Sequence, residues 1–534
     1  MIDYRKYFPY KRIRPEQDRV LKKIVENWDK KYFILQLDVG IGKSGIGKCA
    51  ANWCDQAFIV TQTKQLQDQY MADFAHEHNM KLIKGRGNYQ CLKNPRCSCD
   101  NGPCSIKKDQ ACMGICPYNK ARDEAVNSPI VLTNYSYIFG AFEYTEVWQK
   151  RDLLVFDECH LLEQQLVSFA QFYLSPNELE DKYGLFDSLT NEEFVAAMRP
   201  FTEENFTADN ERRFHQIHSL IKQKCEYFEN LFEKEAKNTR DGMDIEYLEE
   251  AHKEYVNIMQ LCERMDCFKN TFKGSINEWL IKPSLDGDLV FTPLKVDSLF
   301  VHLCNNWADK FIMMSATILD IEGFVKELGI DRNQVVIINE ESTFDPANSP
   351  IYYMPCGSMN YQNIDQSLIQ VENVVEKILN YKPTEKGIIH TGNYKVANFL
   401  NDKIGSSRFI IKGDDKKSNQ KLIEEHIKSP NPTVLVSPSM TTGVDLKDDL
   451  SRWQVIVKMP FGSLTDERIK KKAEIDPDWY ACEALKTLIQ ACGRSTRSQT
   501  DHSVTYVLDS SFKYWVTKYR KWMSNYFLNR IKGF

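Results

Sequence analysis

Several short stretches of this 534-residue chain carry residues whose type and spacing suit phosphate chemistry. Gly40-Ile41-Gly42-Lys43-Ser44 is a glycine-rich turn ending in an ammonium and a hydroxyl. In such a loop backbone N–H groups wrap an anion, the lysine reaches the outer phosphates and the hydroxyl holds Mg²⁺. The pattern departs from the usual one at Leu37, where a small residue is normal, and a second copy, Gly45-Ile46-Gly47-Lys48, runs into Cys49 where a hydroxyl is wanted. Gly40, Gly42, Lys43 and Ser44 are therefore the expected phosphate and Mg²⁺ residues. Val155-Phe156-Asp157-Glu158-Cys159-His160 ends an apolar run on two acids. Asp157 is expected to hold the hydrated Mg²⁺ and Glu158 to act as base toward the attacking water. Met314-Ser315-Ala316-Thr317, weak alone, fits in this order an element that couples nucleotide state to movement. Gln490-Ala491-Cys492-Gly493-Arg494-Ser495-Thr496-Arg497 sets Arg494 and Arg497 on one helical face, where they are candidates to reach a γ-phosphate across a cleft. Gly443 and Asp445, in a turn after an apolar run, are a further place for a nucleotide or backbone phosphate to approach. Gln17, in Arg14-Pro15-Glu16-Gln17, offers its amide to adenine. Hydrolysis of Mg²⁺-bound ATP is the chemistry these residues imply.

Six of the sixteen cysteines fall together, at Cys91, Cys97, Cys99, Cys104, Cys112 and Cys116. Thiols at this density either pair as disulfides or bind metal, and disulfides are rare in the reducing interior where ATP is hydrolysed. Metal binding is the expectation. The remaining cysteines are scattered and read as buried reduced thiols.

The elements that must position these groups follow from the apolar pattern. Tyr32 to Val39 suits a buried strand leading into the loop and a helix, and strand-length runs recur at Ala57 to Thr61, Ile130 to Thr133 and Leu153 to Phe156. A second series begins at Gly387 and continues through Thr433 to Val436, Gln454 to Val457 and Val504 to Leu508. Strands alternating with helices predict an α/β chain of two lobes with parallel sheets. Two segments interrupt the first lobe. Residues 84–128 hold the cysteines and are too polar to build a core without a staple. Residues 165–300 are charged and helical, with Leu248, Ala251, Tyr255, Ile258, Cys262 and Met265 on one stripe and Phe214, Ile217, Ile221, Phe228 and Leu231 on a partner. The expected organisation is 1–83, 129–164 and 301–345 for the first lobe, 84–128 and 165–300 for its insertions, and 346–534 for the second lobe. With 42% hydrophobic and 27% charged residues and a net charge of −5, a nucleic acid would have to bind in a local groove. No apolar run nears the ~20 residues needed to cross a bilayer, so a cytoplasmic location is expected, or the nucleoid, or a host cytoplasm if the source is viral.

The ordered set of glycine-rich loop, Asp-Glu-x-His box, Ser-Ala-Thr and Gln-x-x-Gly-Arg-x-x-Arg resembles superfamily 2 helicases. The cysteine segment before the box and the helical segment after it resemble the XPD and DinG branch in particular. Lys84-Gly85-Arg86-Gly87-Asn88-Tyr89 leads into Cys91, Cys116-Pro117-Tyr118 closes the cysteine segment, and Thr133-Asn134-Tyr135 precedes the box. The resemblance covers nearly the whole chain. It implies two RecA-like lobes, an iron–sulfur domain, an arch-like helical insertion, and a [4Fe–4S] cluster held by four thiolates. Cys91 and Cys116 match the first and last of these, and Cys104 and Cys112 are the expected middle pair, with Cys99 the rival. It also implies 5′ to 3′ movement on single-stranded DNA, action on tailed or forked duplexes, and a monomer. Lys81, Lys84, Arg86, Lys93 and Arg96 are candidates to track phosphates, and Tyr89 and Tyr135 to stack bases or pack in the core. The competing reading is a nucleic-acid-binding scaffold with a degenerate ATPase and structural zinc. A nuclease-helicase is not expected, because the phosphate loop stands so near the start.

Overall fold

Runs such as Phe33-Ile34-Leu35 and Leu153-Leu154-Val155-Phe156 are apolar on both faces, so each strand they form must be covered by helices above and below. The computed structural model describes residues 2–102, 110–144, 147–175, 179, 208–238, 245–272, 278–283, 288–411, 419–438, 446, 448–493 and 501–533. It shows two seven-stranded sheets, parallel throughout. Across the first, the strands are Val335–Glu340, Tyr32–Leu37, Ala308–Ser315, Arg151–Asp157, Ala57–Thr61, Ile130–Asn134 and Met80–Leu82. Across the second they are Phe409–Ile411, Val434–Ser437, Gly387–His390, Trp453–Ile456, Val504–Asp509, Ile351–Gly357 and Ile531–Lys532. The α/β reading with two lobes is what the structure has.

Parallel pairing has a consequence for function. The loops that follow Leu37, Ser315 and Asp157 leave three adjacent strands at the same, carboxyl, edge of the sheet. Phosphate loop, Ser-Ala-Thr element and acidic box are thereby brought side by side although they lie far apart in sequence.

The segment read as charged and helical holds more than helices. Helices Ala208–Asn238 and Ile245–Thr271 pack as a hairpin, burying Phe214, Ile217 and Ile221 against Ile258, Cys262 and Met265. The side chains of Leu248 and Ala251 lie outside the described residues. His218 Nε2 meets the Asp266 carboxylate at 3.1 Å across the hairpin. At the hairpin's base Phe172–Leu174, Leu289–Pro293 and Trp279–Pro283 form an antiparallel three-stranded sheet, with Phe172 stacked on Phe291 at 4.4 Å. Strands this short carry too few residues for period-two alternation to stand out beside two long helical stripes. No helix among the described residues is long and apolar enough to cross a membrane.

Close packing in the second lobe is sharpest at Gly387, which begins a central strand beneath the fully buried Trp453. A Cβ there would stand 2.2 Å from the indole. Gly387→Ala is expected to destabilise the lobe by about 1–3 kcal/mol through overpacking, read as a lowered midpoint in denaturant unfolding.

Candidate nucleotide site and cysteine centre

Gly40 and Gly42 both have positive φ, +89° and +85°, which a side chain would strain. This turn aims the start of helix Lys43–Asn52 along the sheet's carboxyl edge. A Cβ on Gly42 would lie 2.5 Å from the Gln17 amide nitrogen, and one on Gly40 would overlap the Phe344 ring. Gln17 is buried beside the loop: its Nε2 donates to the Gly42 carbonyl at 3.4 Å and its Oε1 accepts from the Arg14 N–H at 3.0 Å. Its amide thus braces the loop. The second Gly-Lys copy is different. Lys48 is fully buried inside the helix, paired with Glu77 and donating to Asn79 Oδ1 at 3.0 Å, so it faces away from the phosphate turn.

Asp157 and Glu158 follow one another at a strand end, and both are largely withdrawn from water. The Tyr70 hydroxyl donates to Asp157 Oδ2 at 2.9 Å and the Glu158 N–H to Asp157 Oδ1 at 3.0 Å. Tyr70 also meets the Ser44 hydroxyl, and burial keeps its phenol protonated. Glu158 adopts a left-handed backbone, φ +54°, rare for a residue with a side chain. Its Oε2 accepts from Ser315 Oγ at 3.2 Å and lies 3.3 Å from His160 Nδ1. Burial opposes its ionisation, but the Lys43 charge and the His160 and Ser315 contacts bring the carboxyl down to about 2. Burial and the neighbouring Glu158 charge push Asp157 up to about 6. The two carboxylates thus lie side by side with Glu158 the more readily ionised, and Asp157 beside Ser44 offers oxygen donors of the kind Mg²⁺ takes.

The acidic box is tied to both lobes. His160 Nδ1 lies 2.8 Å from Ser315 Oγ, Ser315 Oγ accepts from the Thr317 N–H at 3.1 Å, and Gln490 Nε2 reaches His160 Nε2 at 2.6 Å and Thr317 Oγ1 at 2.9 Å. Gln490 stands near the end of helix Pro477–Gly493, and a Cβ on Gly493 would be 3.5 Å from Val39 of the phosphate loop. Arg530 Nη2 caps the Cys492 carbonyl at 2.6 Å and Gln454 Nε2 the Ala491 carbonyl at 3.0 Å, fixing this helix end from within its own lobe. Arg494, Arg497, Gly443 and Asp445 lie outside the described residues.

In the cysteine segment Cys91, Cys99, Cys112 and Cys116 converge in one buried cluster, flanked by Tyr89, Cys97 and Tyr118. Backbone bonds from Cys91 N–H to Cys97 O, 3.1 Å, and from Cys99 N–H to Tyr89 O, 2.8 Å, fold the first arm, and Cys116 sits at the start of helix Pro117–Val126. Burial pushes the Cys99 thiol up to about 11, and it is hydrogen-bonded to Cys116. All cysteines among the described residues are free thiols. Cys104 lies outside the described residues, so three members of the expected ligand set are seen together and the fourth buried thiol is the rival, Cys99. An all-thiol donor set of this kind fits a cubane.

The candidate strand-contacting residues divide. Tyr135 is buried, stacks on Phe156 at 5.5 Å and donates to the Asp157 carbonyl at 3.0 Å, so it packs in the core and supports the box. Lys81 pairs with Glu124 and Lys84 with Asp68 at the surface. Arg86 lies over the Tyr118 ring at 5.0 Å. Tyr70 carries no mark in the sequence reading. Its place on the helix after Ala57–Thr61 becomes meaningful only once that strand is known to pair with the strand ending in Asp157.

Comparison with known proteins agrees with this layout. Residues 377–530 match the model of a helicase C-terminal domain and residues 10–185 that of the type III restriction enzyme res subunit. A probable ATP-dependent helicase of Methanocaldococcus jannaschii is 23% identical, covering 95% of this chain and 93% of its own. The ATP-dependent DNA helicase YoaA of Escherichia coli is 22% identical, covering 85% of this chain and 84% of its own. Among solved structures, an XPD helicase superposes with a TM-score of 0.64 at 17% identity, covering 96% of this chain and 98% of that one. The Xpd4 structure from S. tokodaii gives 0.58 at 13% identity, covering 98% and 100%.

Replacing Glu158 by Gln keeps the side chain's shape and removes its charge. The variant is expected to retain ATP binding and to lose about 10²–10⁴-fold in turnover, measured as phosphate release under saturating ATP. In motif order, in the geometry of its two lobes and in the relatives it matches along its length, the chain resembles the XPD/DinG branch of the superfamily 2 helicases.

Proposed function

We propose that this chain is an ATP-dependent DNA helicase that moves 5′ to 3′ on single-stranded DNA. The observation that carries the reading is the hydrogen-bonded path from Glu158 through His160 and Ser315 to Gln490 of the other lobe, with Gly493 facing Val39. A site that completes itself only when two lobes meet suits a motor, because ATP binding and release then become lobe closure and opening.

In this reading Lys43 and the N–H groups of the phosphate turn bind the β- and γ-phosphates. Ser44 and Asp157 hold Mg²⁺, which supplies charge neutralisation on the phosphate oxygens. Tyr70 holds Asp157 and Ser44 in place in the nucleotide-free state. Glu158, fixed by Ser315 and His160, orients and polarises the attacking water. Arg494 and Arg497, which follow directly after Gly493, are the proposed arginines on the γ-phosphate. Gly443 and Asp445 are proposed to contact nucleotide, and Gln17 to read adenine while bracing the loop.

Cys91, Cys112 and Cys116 are proposed [4Fe–4S] ligands, with the fourth either Cys104, as expected from the sequence, or Cys99, which is buried beside the other three. The insertions support a channel for a single strand. His252 of the hairpin lies within the electrostatic reach of Arg86 and Asp100 of the cysteine segment, so the two insertions approach one another. Partners are proposed to be single-stranded and tailed or forked duplex DNA, acting on a monomer in the cytoplasm. The proposed organisation assigns 1–83, 129–164 and 301–345 to the first lobe, 84–128 and 165–300 to its insertions, and 346–534 to the second lobe.

A tailed-duplex assay tests the motor. Wild-type protein is expected to displace a strand from a 5′-tailed duplex, with ATPase stimulated by single strands and weakened as salt rises, and Lys43→Ala to lose turnover while remaining folded. Unwinding of 3′-tailed substrates alone would refute the polarity, and activity confined to RNA would refute the DNA assignment.

Metal content tests the centre. Anaerobically purified protein is expected to be brown, with about four irons per chain. Cys97→Ser should keep iron; loss of iron in Cys104→Ser with retention in Cys99→Ser would assign the fourth ligand to Cys104, and the reverse would assign it to Cys99. Stoichiometric zinc in colourless protein would favour the scaffold reading.

A further inference from the structure

Directly after the acidic box, helix Leu162–Ala170 begins, and its second residue, Glu163, does not face solvent. Its carboxylate is met by three donors from the other lobe. Arg468 Nη2 donates to Oε1 at 2.7 Å, Lys472 Nζ to the same oxygen, and Trp479 Nε1 to Oε2 at 2.8 Å. Lys472 also reaches Glu327 Oε1 at 2.6 Å, and Arg468 Nε donates to the Pro293 carbonyl at 2.8 Å. All four charged side chains are nearly excluded from water, between 4% and 18% exposed. Burial opposes ionisation of Glu163, but Lys472 and Arg468 hold its carboxyl below the usual range, while burial and the Glu163 charge push Glu327 up to about 7. The centre of the network is the Glu163 carboxylate, on one oxygen of which Arg468 and Lys472 converge.

The position of these contacts gives them a role. Trp479 lies in the first turn of helix Pro477–Gly493, and Gln490 lies in its last. Eleven residues of helix separate the two, about 16 Å. The same helix thus touches the first lobe at both ends: at Gln490 through His160 and Thr317, and at Trp479 through Glu163. Two of its partners are close in sequence: His160 ends the acidic box, and Glu163 follows it three residues on. A helix held at one end can pivot; held at both, its end has one place beside the phosphate loop.

We infer that Glu163 is a positioning residue for ATP hydrolysis, which clasps the Arg468, Lys472 and Trp479 face of the second lobe and so fixes where the Gln490 end of the helix meets the acidic box. The inference rests on reading Lys43 to Glu158 as the ATP site. The contacts of Glu163 run to Arg468, Lys472 and Trp479 and not to the phosphate loop or Gln17, so the clasp should act on turnover far more than on the first lobe's hold on ATP. A displacement of about 1 Å at a reacting centre is enough to cost up to 10²-fold in rate.

Steady-state ATPase kinetics on the full chain, with saturating single-stranded DNA, test this. Glu163→Gln is expected to lower kcat on the order of tenfold with KM for ATP unchanged, since misplacement of the second lobe is partial. Trp479→Phe, which removes one hydrogen bond and leaves the charges paired, is expected to lower kcat about two- to threefold at unchanged KM. Glu163→Gln combined with Arg468→Gln should be no slower than Glu163→Gln alone, because the two act as one unit. A merely structural role would lower the active fraction and the melting temperature without this split and without this non-additivity. If Glu163→Gln turns over at the wild-type rate, or if its KM rises in step with the loss, the clasp is refuted while Lys43-dependent turnover of the wild type still upholds the ATP site. If the wild type itself shows no turnover that Lys43→Ala abolishes, both the ATP site and the clasp fall.

Discussion

Two adjacent carboxylates at the end of a buried strand are electrostatically unfavourable unless cations and hydrogen-bond donors surround them. Much of the molecule near Asp157 and Glu158 is arranged around that requirement. Lys43 comes from the neighbouring loop, Tyr70 from the helix after the next strand, and Ser315 from the strand between. His160 comes from the box itself and is in turn held by the second lobe. Parallel strand order is what makes this supply possible, since it delivers each donor to the same edge of one sheet.

The same requirement explains why the second lobe cannot be an independent appendage. His160 Nε2 would face the cleft unpaired if Gln490 withdrew, and Glu163 would be a buried charge if Arg468 and Lys472 withdrew. Lobe separation therefore exposes polar groups that must then be solvated, and lobe approach re-forms their bonds. Nucleotide adds a third set of charges to the same cleft, which is how phosphate chemistry can bias the lobe equilibrium.

How much of this was legible in the sequence depends on whether a group works through neighbours in the chain or neighbours in space. The phosphate turn and the acidic box are local, because a positive-φ glycine before a lysine and two acids ending an apolar run carry their meaning within a few residues. Tyr32–Leu37 and Arg151–Asp157 were readable as apolar runs, whereas Ala308–Ser315, which lies between them, Val335–Glu340 and Ile351–Gly357 mix apolar with polar residues and did not stand out. Glu163 resembles any solvated helix acid until the other lobe is placed against it. For Tyr135 the sequence left base stacking and core packing open, and its place beneath Asp157 decides for packing. Lys48 shows why copy number misleads, since the same Gly-x-Gly-Lys string is a phosphate turn where φ is positive and a buried helix face one turn later.

Cysteines follow the same rule. Six in one segment announced a metal centre, yet spacing alone does not choose four of them, because the choice depends on how the chain folds back between Cys91 and Cys99. The Gln90 to Ser98 bridge and the Cys91 to Cys97 backbone bond close a tight loop that turns Cys99 inward and leaves Cys97 at the margin. Tyr89 and Tyr118 pack edge to face at 5.7 Å on the same cluster, joining the arms that lead in and out of it. Since Tyr89 also accepts from the Lys84 N–H at 3.1 Å, the ring ties the centre to the strand Met80–Leu82 at the edge of the first sheet. The cysteine segment is thus joined to the sheet that carries the phosphate loop through packed aromatic contacts and a backbone bond.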